Sequence, residues 1–261
     1  MSAQASPRRV LVTGSATGLG LGFARAFTAA GDSVFLADIL PEVTEAAKTL
    51  SAEAGRTVGA SIVDLAEDGA ADGLVAEAGG AMGGIDILIN NAVIRKIAPV
   101  AELGDSDWNR ALEVNLSAPF RLIRACLPRM QEHGWGRIIN MASVYSLIAL
   151  AGRVDYVTTK HAIVGLTRTV ALEVAATRIT CNAICPGLMA TDSALARIDA
   201  LAAEKNLGND EATALFLSTR QPGGRFIPMD TVTALALFLC GPQSEGINGA
   251  AIPVDNGWSF A

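Results

Sequence analysis

Three residues in the middle of the chain carry side chains that can move a proton. Tyr156 and Lys160 are four residues apart, a spacing that places both on one face of a helix. An ammonium group beside a phenol favours the phenolate and lowers the phenol's pKa from its usual value of about 10. Ser143 lies thirteen residues before the tyrosine, and its hydroxyl could hold the oxygen on which that base acts. The three residues therefore predict deprotonation of an alcohol whose hydride is taken by another group.

A Tyr-x-x-x-Lys pair also occurs on ordinary amphipathic helices, so this prediction depends on the elements that would position it. Near the N-terminus, an apolar run over 10–12 leads into Thr-Gly-Ser-Ala-Thr-Gly-Leu-Gly at 13–20, and a helical pattern follows to about residue 30. Glycines in a strand-to-helix turn let the backbone approach a pyrophosphate, whose charge the helix N-terminus stabilises. The predicted cofactor contacts in this turn are Gly14, Ser15, Thr17, Gly18, Leu19 and Gly20.

The acid after the second apolar run predicts which dinucleotide binds. The run over 33–38 ends in Asp38, which follows Gly14 by 24 residues. A carboxylate at this point can accept hydrogen bonds from both ribose hydroxyls of the adenosine half, and it would repel a 2′-phosphate. No basic residue occupies the glycine turn, and Ile39 follows the acid. The sequence therefore predicts NAD(H) rather than NADP(H).

Apolar runs and helical stretches alternate along the chain, which is typical of a parallel sheet covered by helices on both faces. The length of 261 residues and the apolar fraction of 51% suit one such domain. Strands are predicted near 10–13, 33–38, 57–63, 86–90, 136–142, 178–184 and 250–254. We therefore predict an α/β fold over 1–261, a single Rossmann-type, doubly wound domain with seven parallel strands.

Composition argues against several other classes of function. The net charge is −6 without a basic block, so nucleic acid is not an expected partner, and no apolar stretch approaches the roughly 20 residues of a membrane span. Four cysteines lack metal-ligand or disulfide spacing, which predicts buried thiols in a reducing cytoplasm. The chain has only two histidines, so no metal site is predicted. The polar stretch up to about Pro7 is predicted to be disordered and does not have the pattern of a signal peptide.

The order of the motifs resembles that of the short-chain dehydrogenase/reductase family over essentially the whole chain. Beyond the glycine turn and Asp38, the matching elements are Asp64 after the third strand, Asn90-Asn91-Ala92 after the fourth, Asn115 in the next helix, Ser143, Tyr156 and Lys160, and Pro186-Gly187 with Thr191 after the sixth strand. Two positions depart from the family pattern, because Val93 and Asn256 stand where a glycine is usual. A branched residue at 93 excludes a positive φ there.

The resemblance implies a role for each catalytic residue. Tyr156 would be the general base for alcohol oxidation, and Lys160 would lower its pKa and bind the nicotinamide ribose. Ser143 would stabilise the reacting oxygen, and Asn115 would hold a water that links Lys160 to solvent. The resemblance also implies a homotetramer, formed through the helices that contain Asn115 and Tyr156 and through the C-terminal strand.

The same resemblance implies further contacts with the cofactor. Asp64 and Leu65 would bind the adenine, and Asn91 would line the adenosine ribose. The segment after the sixth strand would hold the carboxamide through Pro186, Gly187, Met189 and Thr191. The residues that follow, roughly 191–226, would form a helical lid over the substrate.

Arginines occupy the positions where this family binds its substrate. Arg95, Arg153 and Arg197 fall in the loop after strand four, before the catalytic tyrosine and in the lid, and Tyr145 joins them. A planar guanidinium suits a carboxylate, sulfonate or phosphate. We therefore predict a small hydroxylated anion as substrate. Arg220 and Arg225 are predicted to lie on the surface, although Arg225 could fold inward when the lid closes. Tyr145 could either stack on a sugar ring or pack beneath the lid.

Two subfamilies bear on the head group of that anion. The chain is similar to 3-hydroxybutyrate dehydrogenases in the segments 203–206 and 221–222, although those enzymes bind the carboxylate with glutamine, lysine and histidine. It also resembles the dehydrogenase of 2-(R)-hydroxypropyl-coenzyme M, in which arginines matching Arg153 and Arg197 hold a sulfonate. A sulfonate, including a sulfosugar such as sulfoquinovose, therefore ranks ahead of a hydroxycarboxylate. The alternatives are a 3-hydroxybutyrate-type dehydrogenase, a carbonyl or acyl-thioester reductase acting on uncharged substrates, and an NAD-binding sensor without turnover.

Overall fold

A computed structural model describes residues 7–218 and 220–261 of the chain. Its seven strands form one parallel sheet in the order β3-β2-β1-β4-β5-β6-β7. The strands are β1 Arg9–Thr13, β2 Ser33–Asp38, β3 Gly59–Ile62, β4 Ile87–Asn90, β5 Gly136–Met141, β6 Ile179–Pro186 and β7 Ala251–Val254. The predicted seven-stranded, doubly wound sheet is therefore confirmed.

Helices cover both faces of this sheet. They are α1 Gly18–Ala29, α2 Val43–Ala54, α3 Ala70–Met82, α4 Asp105–Leu112, α5 Ala118–His133, α6 Val154–Glu173, α7 Asp192–Lys205, α8 Asn209–Ser218 and α9 Met229–Leu239. A short π-helical segment, Glu113–Ser117, joins α4 to α5. None of the helices in the described ranges is long and apolar enough to cross a membrane.

Alternation along β1 explains why the sheet has two apolar faces. Val10 and Val12 pack with Phe23 of α1 on one face, whereas Leu11 packs with Leu122 of α5 on the other. Successive side chains of a strand point to opposite faces, so a strand buried on both faces is apolar throughout. This is the reason that the apolar runs predicted the strands. All four cysteines are buried free thiols.

The predicted boundaries differ from the observed ones mainly at two strands. β3 is an edge strand limited to Gly59–Ile62 and partly exposed, because it has a neighbour on one side only. β6 continues to Pro186 because that residue still pairs with Val254 of β7. The N-terminal residues predicted to be disordered lie, apart from Pro7, outside the described residues.

The lid is a pair of helices, α7 and α8, with an apolar cluster of its own. Ile198 of α7 and Ala212 and Phe216 of α8 are buried against each other. The C-terminal end of the lid is tied to Leu188, which lies just before the lid begins. The Leu188 carbonyl accepts hydrogen bonds from the side-chain amide of Gln221 at 2.6 Å and from the backbone N–H of Ile227 at 2.9 Å. The predicted helical character of the lid is therefore correct for the residues described.

Candidate active site

A cleft lies where the chain order of the sheet reverses. β1 is flanked by β2 and β4, and connections leave the carboxyl ends of these strands in opposite directions, which opens a crevice for a ligand. A cavity of about 450 Å³ occupies this crevice. The predicted residues that line it are Gly14, Thr17, Leu19, Gly20, Asp38, Asp64, Leu65, Asn91, Arg95, Ser143, Tyr156, Lys160, Pro186, Gly187, Met189 and Thr191.

The glycine turn at the start of α1 is shaped to receive a ligand. A Cβ on Gly20 would lie 1.9 Å from the carbonyl oxygen of Gly14, so this close approach requires glycine. Gly18 has a φ of +56°, and a Cβ there would meet no protein atom within 4 Å. Its exposed backbone at the N-terminus of α1 fits a pyrophosphate.

Ser15 was predicted to contact the cofactor, but its side chain lies beneath the turn. It is fully buried, and its hydroxyl donates to the Val12 carbonyl at 3.0 Å and accepts from the Ala37 N–H at 2.9 Å. The Ser15 side chain therefore ties the glycine turn to β2. Asn91 has a similar bracing function, because its side-chain amide donates to the carbonyls of Thr13 and Gly14 at 3.0 and 2.8 Å while the residue lines the cavity.

Asp38 stands at the end of β2 with its carboxylate facing the cavity. One oxygen accepts from the Ala16 N–H at 2.9 Å and the other from the Leu40 N–H at 3.0 Å. Sequence reasoning missed Arg110, which lines the same cavity and pairs with Asp64 at 2.7 Å. Burial raises the pKa of Asp64, but hydrogen bonds from Arg110 and from the Ala66 N–H outweigh it and leave that pKa below its usual value.

The structure brings the three catalytic candidates together at the floor of the cleft. Ser143 caps a short 3-10 helix at the end of β5, where its hydroxyl accepts from the Tyr145 N–H at 3.2 Å. Tyr156 lies near the start of α6 and lines the same cavity as Ser143. Lys160 is buried one turn further on, with Nζ 5.6 Å from the centroid of the Tyr156 ring and 2.5 Å from the Met141 carbonyl oxygen.

Several groups act on the pKa of Tyr156. Burial raises that pKa, and the opposing influences are the hydroxyl of Ser143 and the positive charges of Arg95 and Arg153. The ammonium of Lys160 bonds to the Met141 carbonyl, and burial lowers the pKa of Lys160 to about 8. The lowering of the Tyr156 pKa by Lys160 stays a prediction, and the two arginines add positive charge that the sequence did not assign to this tyrosine.

Asn115 lies in the π-helical segment between α4 and α5, a type of distortion that is frequent at functional sites. Its side-chain oxygen accepts from the Ile94 N–H at 2.9 Å, and its side-chain nitrogen donates to the Ile94 carbonyl at 2.9 Å and to Thr159 at 3.2 Å. The side chain thus fixes the loop after β4 against α6. The predicted water relay through Asn115 stays a prediction.

A second cavity, of about 140 Å³, opens beside Tyr156 and is lined by all four predicted substrate residues. Arg95, Arg153, Arg197 and Tyr145 line it together with two residues that sequence reasoning missed, Arg220 and Trp258. The placement of Arg220 on this wall corrects its prediction as a surface residue, whereas Arg225 is exposed and lines a different cavity. Tyr145 meets Tyr156 and Trp258 edge to face, with ring centroids 6.2 and 5.4 Å away.

Three of these arginines have no carboxylate partner among the described residues. Arg153 is only 6% exposed, and neither it nor Arg95 nor Arg197 forms a salt bridge within the described part of the chain. Arg95 hydrogen-bonds the Ser193 hydroxyl at 2.5 Å. Burial lowers the pKa of Arg153 and Arg197, and the positive charges of neighbouring arginines lower it further. The cavity therefore concentrates positive charge that an anion would stabilise.

Backbone contacts explain why Arg95 and Arg153 come together. Ala98 forms an isolated parallel bridge with Arg153, and its N–H bonds to the Gly152 carbonyl at 3.3 Å. The buried carboxylate of Asp155 accepts from the Lys96 N–H at 2.7 Å. The loop after β4 is thus fastened to the start of α6, where the catalytic tyrosine lies.

The two departures from the glycine pattern have different outcomes. Val93 lines the cavity of about 450 Å³ and has no positive φ, as predicted for a branched residue. Asn256 keeps the left-handed conformation with a φ of +52°, which asparagine tolerates better than most residues, and its side-chain amide donates to the Arg225 carbonyl at 3.3 Å.

The parallel sheet, the glycine turn and the Ser–Tyr–Lys cluster together define a nucleotide-binding oxidoreductase. The family model described as Enoyl-(Acyl carrier protein) reductase matches residues 14–259. The chain belongs to the short-chain dehydrogenase/reductase family.

Its relatives differ in what they act on. The chain is 36% identical to D-beta-hydroxybutyrate dehydrogenase of Cupriavidus necator over 96% of this chain and 97% of that protein. It is 35% identical to the enzyme of the same name from Rhizobium meliloti over 97% and 98%. Among solved structures, L-sorbose reductase from Gluconobacter frateurii, complexed with NADPH and L-sorbose, is 29% identical with a TM-score of 0.93, and each chain is covered to 98%.

Proposed function

We propose that this protein is an NAD-dependent dehydrogenase that oxidises a secondary alcohol or sugar hydroxyl of a small anionic substrate. The observation that carries the proposal is Arg153, a buried guanidinium without a carboxylate partner in the described chain, lining one cavity with Tyr156. A buried unpaired charge is costly, so a site that retains one is suited to a ligand of opposite charge. Arg95 and Arg197 extend the same positive wall.

A sulfonate ranks ahead of a carboxylate as the head group of that substrate. Arg95, Arg153 and Arg197 come from the loop after β4, the start of α6 and the lid, so they approach the cavity from three segments. Three donors from three directions suit the three oxygens of a sulfonate, including that of a sulfosugar such as sulfoquinovose.

The carboxylate is the second candidate. It is favoured by the similarity to the two D-beta-hydroxybutyrate dehydrogenases, which extends over nearly the whole chain.

Asp38 supports NAD(H) as the cofactor. Its carboxylate faces the part of the cleft that would hold the adenosine ribose, where it favours two free hydroxyls and repels a 2′-phosphate. Arg110 lies in the same cavity but is paired with Asp64, so its charge is already partly neutralised.

The residues at the floor of the cleft suit the proton half of this reaction. When bound, the nicotinamide would supply the acceptor for the hydride. Tyr156 would take the hydroxyl proton at its phenolate oxygen, while Ser143 would donate a hydrogen bond to the same substrate oxygen. Lys160 would hold the nicotinamide ribose, and Asn115 would support proton exchange with solvent.

We also propose that the protein is a cytoplasmic homotetramer. Exposed apolar side chains on α5 and α6 support this self-association, because Phe120 of α5 is 47% exposed and Leu172 of α6 is 79% exposed. Light scattering coupled to size-exclusion chromatography tests the assembly, and a monomeric mass would contradict it.

The test of the proposed activity is NADH formation at mildly alkaline pH, followed by absorbance. The substrate panel contains hydroxylated sulfonates, sulfosugars, hydroxycarboxylates and uncharged alcohols, each offered with NAD⁺ and with NADP⁺. We expect turnover of anions with NAD⁺. Turnover confined to uncharged substrates would instead identify a carbonyl reductase, and the absence of turnover would favour an NAD-binding sensor.

A further inference from the structure

Arg220 is the fourth guanidinium on the wall of the substrate cavity. It is partly buried at the end of the lid and lines the cavity with Arg153 and Arg197. Burial raises the pKa of Tyr145, and Arg220, Arg153 and Arg197 are the cations that oppose this effect. The charge of Arg220 therefore acts on the same space as the charges of the predicted arginines.

The guanidinium groups of Arg220 and Arg197 both contact the ring of Phe216. The guanidinium carbon of Arg220 lies 4.4 Å from the centroid of the Phe216 ring, and that of Arg197 lies 4.9 Å from it. The ring is only 4% exposed and is fixed in the apolar cluster between α7 and α8. Stacking on an aromatic ring orients a guanidinium, whose N–H groups donate in its own plane. The lid thus presents two arginines as one rigid pair.

The backbone beside Arg220 is anchored to the segment that follows β6. Gln221 is 1% exposed, and its side-chain nitrogen donates to the Leu188 carbonyl at 2.6 Å. The backbone N–H groups of Arg220 and Gln221 both donate to the Leu217 carbonyl at 2.8 Å. Arg220 is therefore held at a defined place between the end of α8 and the segment after β6.

We infer that Arg220, stacked with Arg197 on Phe216, is a specificity-determining residue that favours a three-oxygen head group over a carboxylate. A carboxylate presents two oxygens in one plane, which a single arginine can engage through two parallel hydrogen bonds. A sulfonate presents three oxygens around its sulfur, so it can accept hydrogen bonds from more guanidinium groups at once. Arg220 adds a fourth guanidinium beside Arg197 on the lid. The inference rests on the proposed anionic substrate and adds the residue that chooses between its two head groups.

A purely structural role for Arg220 predicts a different result. Its Nη1 donates to the Phe216 carbonyl at 2.9 Å, near the C-terminus of α8, where a cation is favourable for the helix. If that were its only role, its loss would lower thermal stability and would affect all ligands equally.

The experiment measures the dissociation constants of methanesulfonate and acetate for the NAD⁺-saturated full-length protein. Broadening of the methyl proton signal of each probe reports binding. The variants are Arg220→Gln, which keeps an amide donor for the Phe216 carbonyl, and Arg153→Gln, which tests the proposed function itself. Arg225→Gln is the matched control, because that arginine is exposed and lines another cavity.

We expect Arg220→Gln to weaken methanesulfonate binding by about tenfold or more, the effect of losing one charge-assisted hydrogen bond. Acetate binding should change by less than about threefold, whereas Arg153→Gln should weaken both probes. Phe216→Leu keeps apolar volume in the lid, and we expect it to weaken methanesulfonate more than acetate.

Two results would overturn the inference in distinguishable ways. If Arg153→Gln weakens both probes but Arg220→Gln leaves methanesulfonate unchanged, or weakens both probes equally, Arg220 does not select the head group while the anion site stands. If Arg153→Gln changes neither probe, or the wild-type protein binds neither, the proposed anionic substrate fails and the inference fails with it.

Discussion

The cofactor half and the substrate half of the cleft satisfy their polar groups in different ways. On the cofactor side, Ser15, Asn91 and Asp38 are each hydrogen-bonded to neighbouring backbone. On the substrate side, Arg153 and Arg197 lie in a cavity without a salt bridge in the described ranges. On the cofactor side, these polar side chains find their hydrogen-bond partners within the protein. On the substrate side, the positive charge of the arginines would be balanced by a ligand.

This difference separates what the fold requires from what a substrate requires. The bracing bonds of the cofactor half hold the glycine turn against β2 and β4, so they stabilise the turn whether or not a ligand is bound. The arginines instead destabilise one another, since neighbouring arginines contribute to lowering the pKa of both Arg153 and Arg197. A cluster that costs stability is a good candidate for a binding function.

The largest expected effect falls on Tyr156, where the two halves meet. Tyr156→Phe removes the only proposed proton acceptor and should lower kcat by about a thousandfold, within the range for general-base catalysis. The binding of NAD⁺ should be retained, because the glycine turn is unchanged. Tyr145→Phe is the matched control and should change kcat far less. Steady-state kinetics measure both variants, and comparable losses in the two would contradict the role of Tyr156.

Loss of Arg153 should mainly weaken the binding of the anion. Arg153→Gln should raise KM for the anionic substrate by about 30-fold or more, the equivalent of about 2 kcal/mol for a buried charge pair. The KM for NAD⁺ should stay close to wild type, and so should the turnover of an uncharged alcohol at a pH above the acidic limb of the profile. An unchanged KM for the anion would show that Arg153 does not bind the substrate.

Asp38 provides the complementary test in the cofactor half. Asp38→Asn keeps an oxygen that can accept from the Ala16 N–H but removes the negative charge. The ratio of kcat/KM with NAD⁺ to kcat/KM with NADP⁺ should fall by about tenfold, the equivalent of about 1.4 kcal/mol. The KM for the anionic substrate should not change. A preserved preference for NAD⁺, or an initial preference for NADP⁺, would show that Asp38 does not select the cofactor.

The smallest expected effect is a shift in pH dependence that links the two halves. Tyr156 must be deprotonated to act as a base, so oxidation becomes faster as the pH rises through its pKa. Because the charge of Arg153 lowers the pKa of Tyr156, Arg153→Gln should raise that pKa and move the acidic limb of the kcat/KM profile to higher pH. A limb that stays in place, or moves to lower pH, would contradict the electrostatic role of Arg153.

The features that could be predicted from the sequence are those encoded over a short stretch. The apolar runs predicted all seven strands because the central strands are buried on both faces and the edge strands keep an apolar pattern, and the glycine turn was visible because Gly14 and Gly20 are close in the chain. Tyr156 and Lys160 could be paired because one helical turn separates them.

The features that were missed depend on how distant segments pack. Arg220 reaches the cavity only because Phe216 supports it within the lid and Gln221 is tied to the Leu188 carbonyl. Trp258 enters through a short helix at the C-terminus and meets Tyr145 more than a hundred residues away in sequence. The influence of Arg95 and Arg153 on the pKa of Tyr156 was missed because both arginines reach the tyrosine through the packing of the loop after β4 against the start of α6.

The most direct test of an anion-selective dehydrogenase is the ratio of kcat/KM for two nearly isosteric substrates. 2-Hydroxypropane-1-sulfonate and its methyl sulfone differ by the replacement of one sulfonate oxygen with a methyl group, which removes the charge. For the carboxylate, the corresponding charged and uncharged pair is 3-hydroxybutyrate and its methyl ester. With NAD⁺, we expect the sulfonate to exceed its sulfone by about 30-fold or more, and Arg153→Gln to abolish most of that ratio. A ratio near one for both pairs in the wild-type protein would contradict the account.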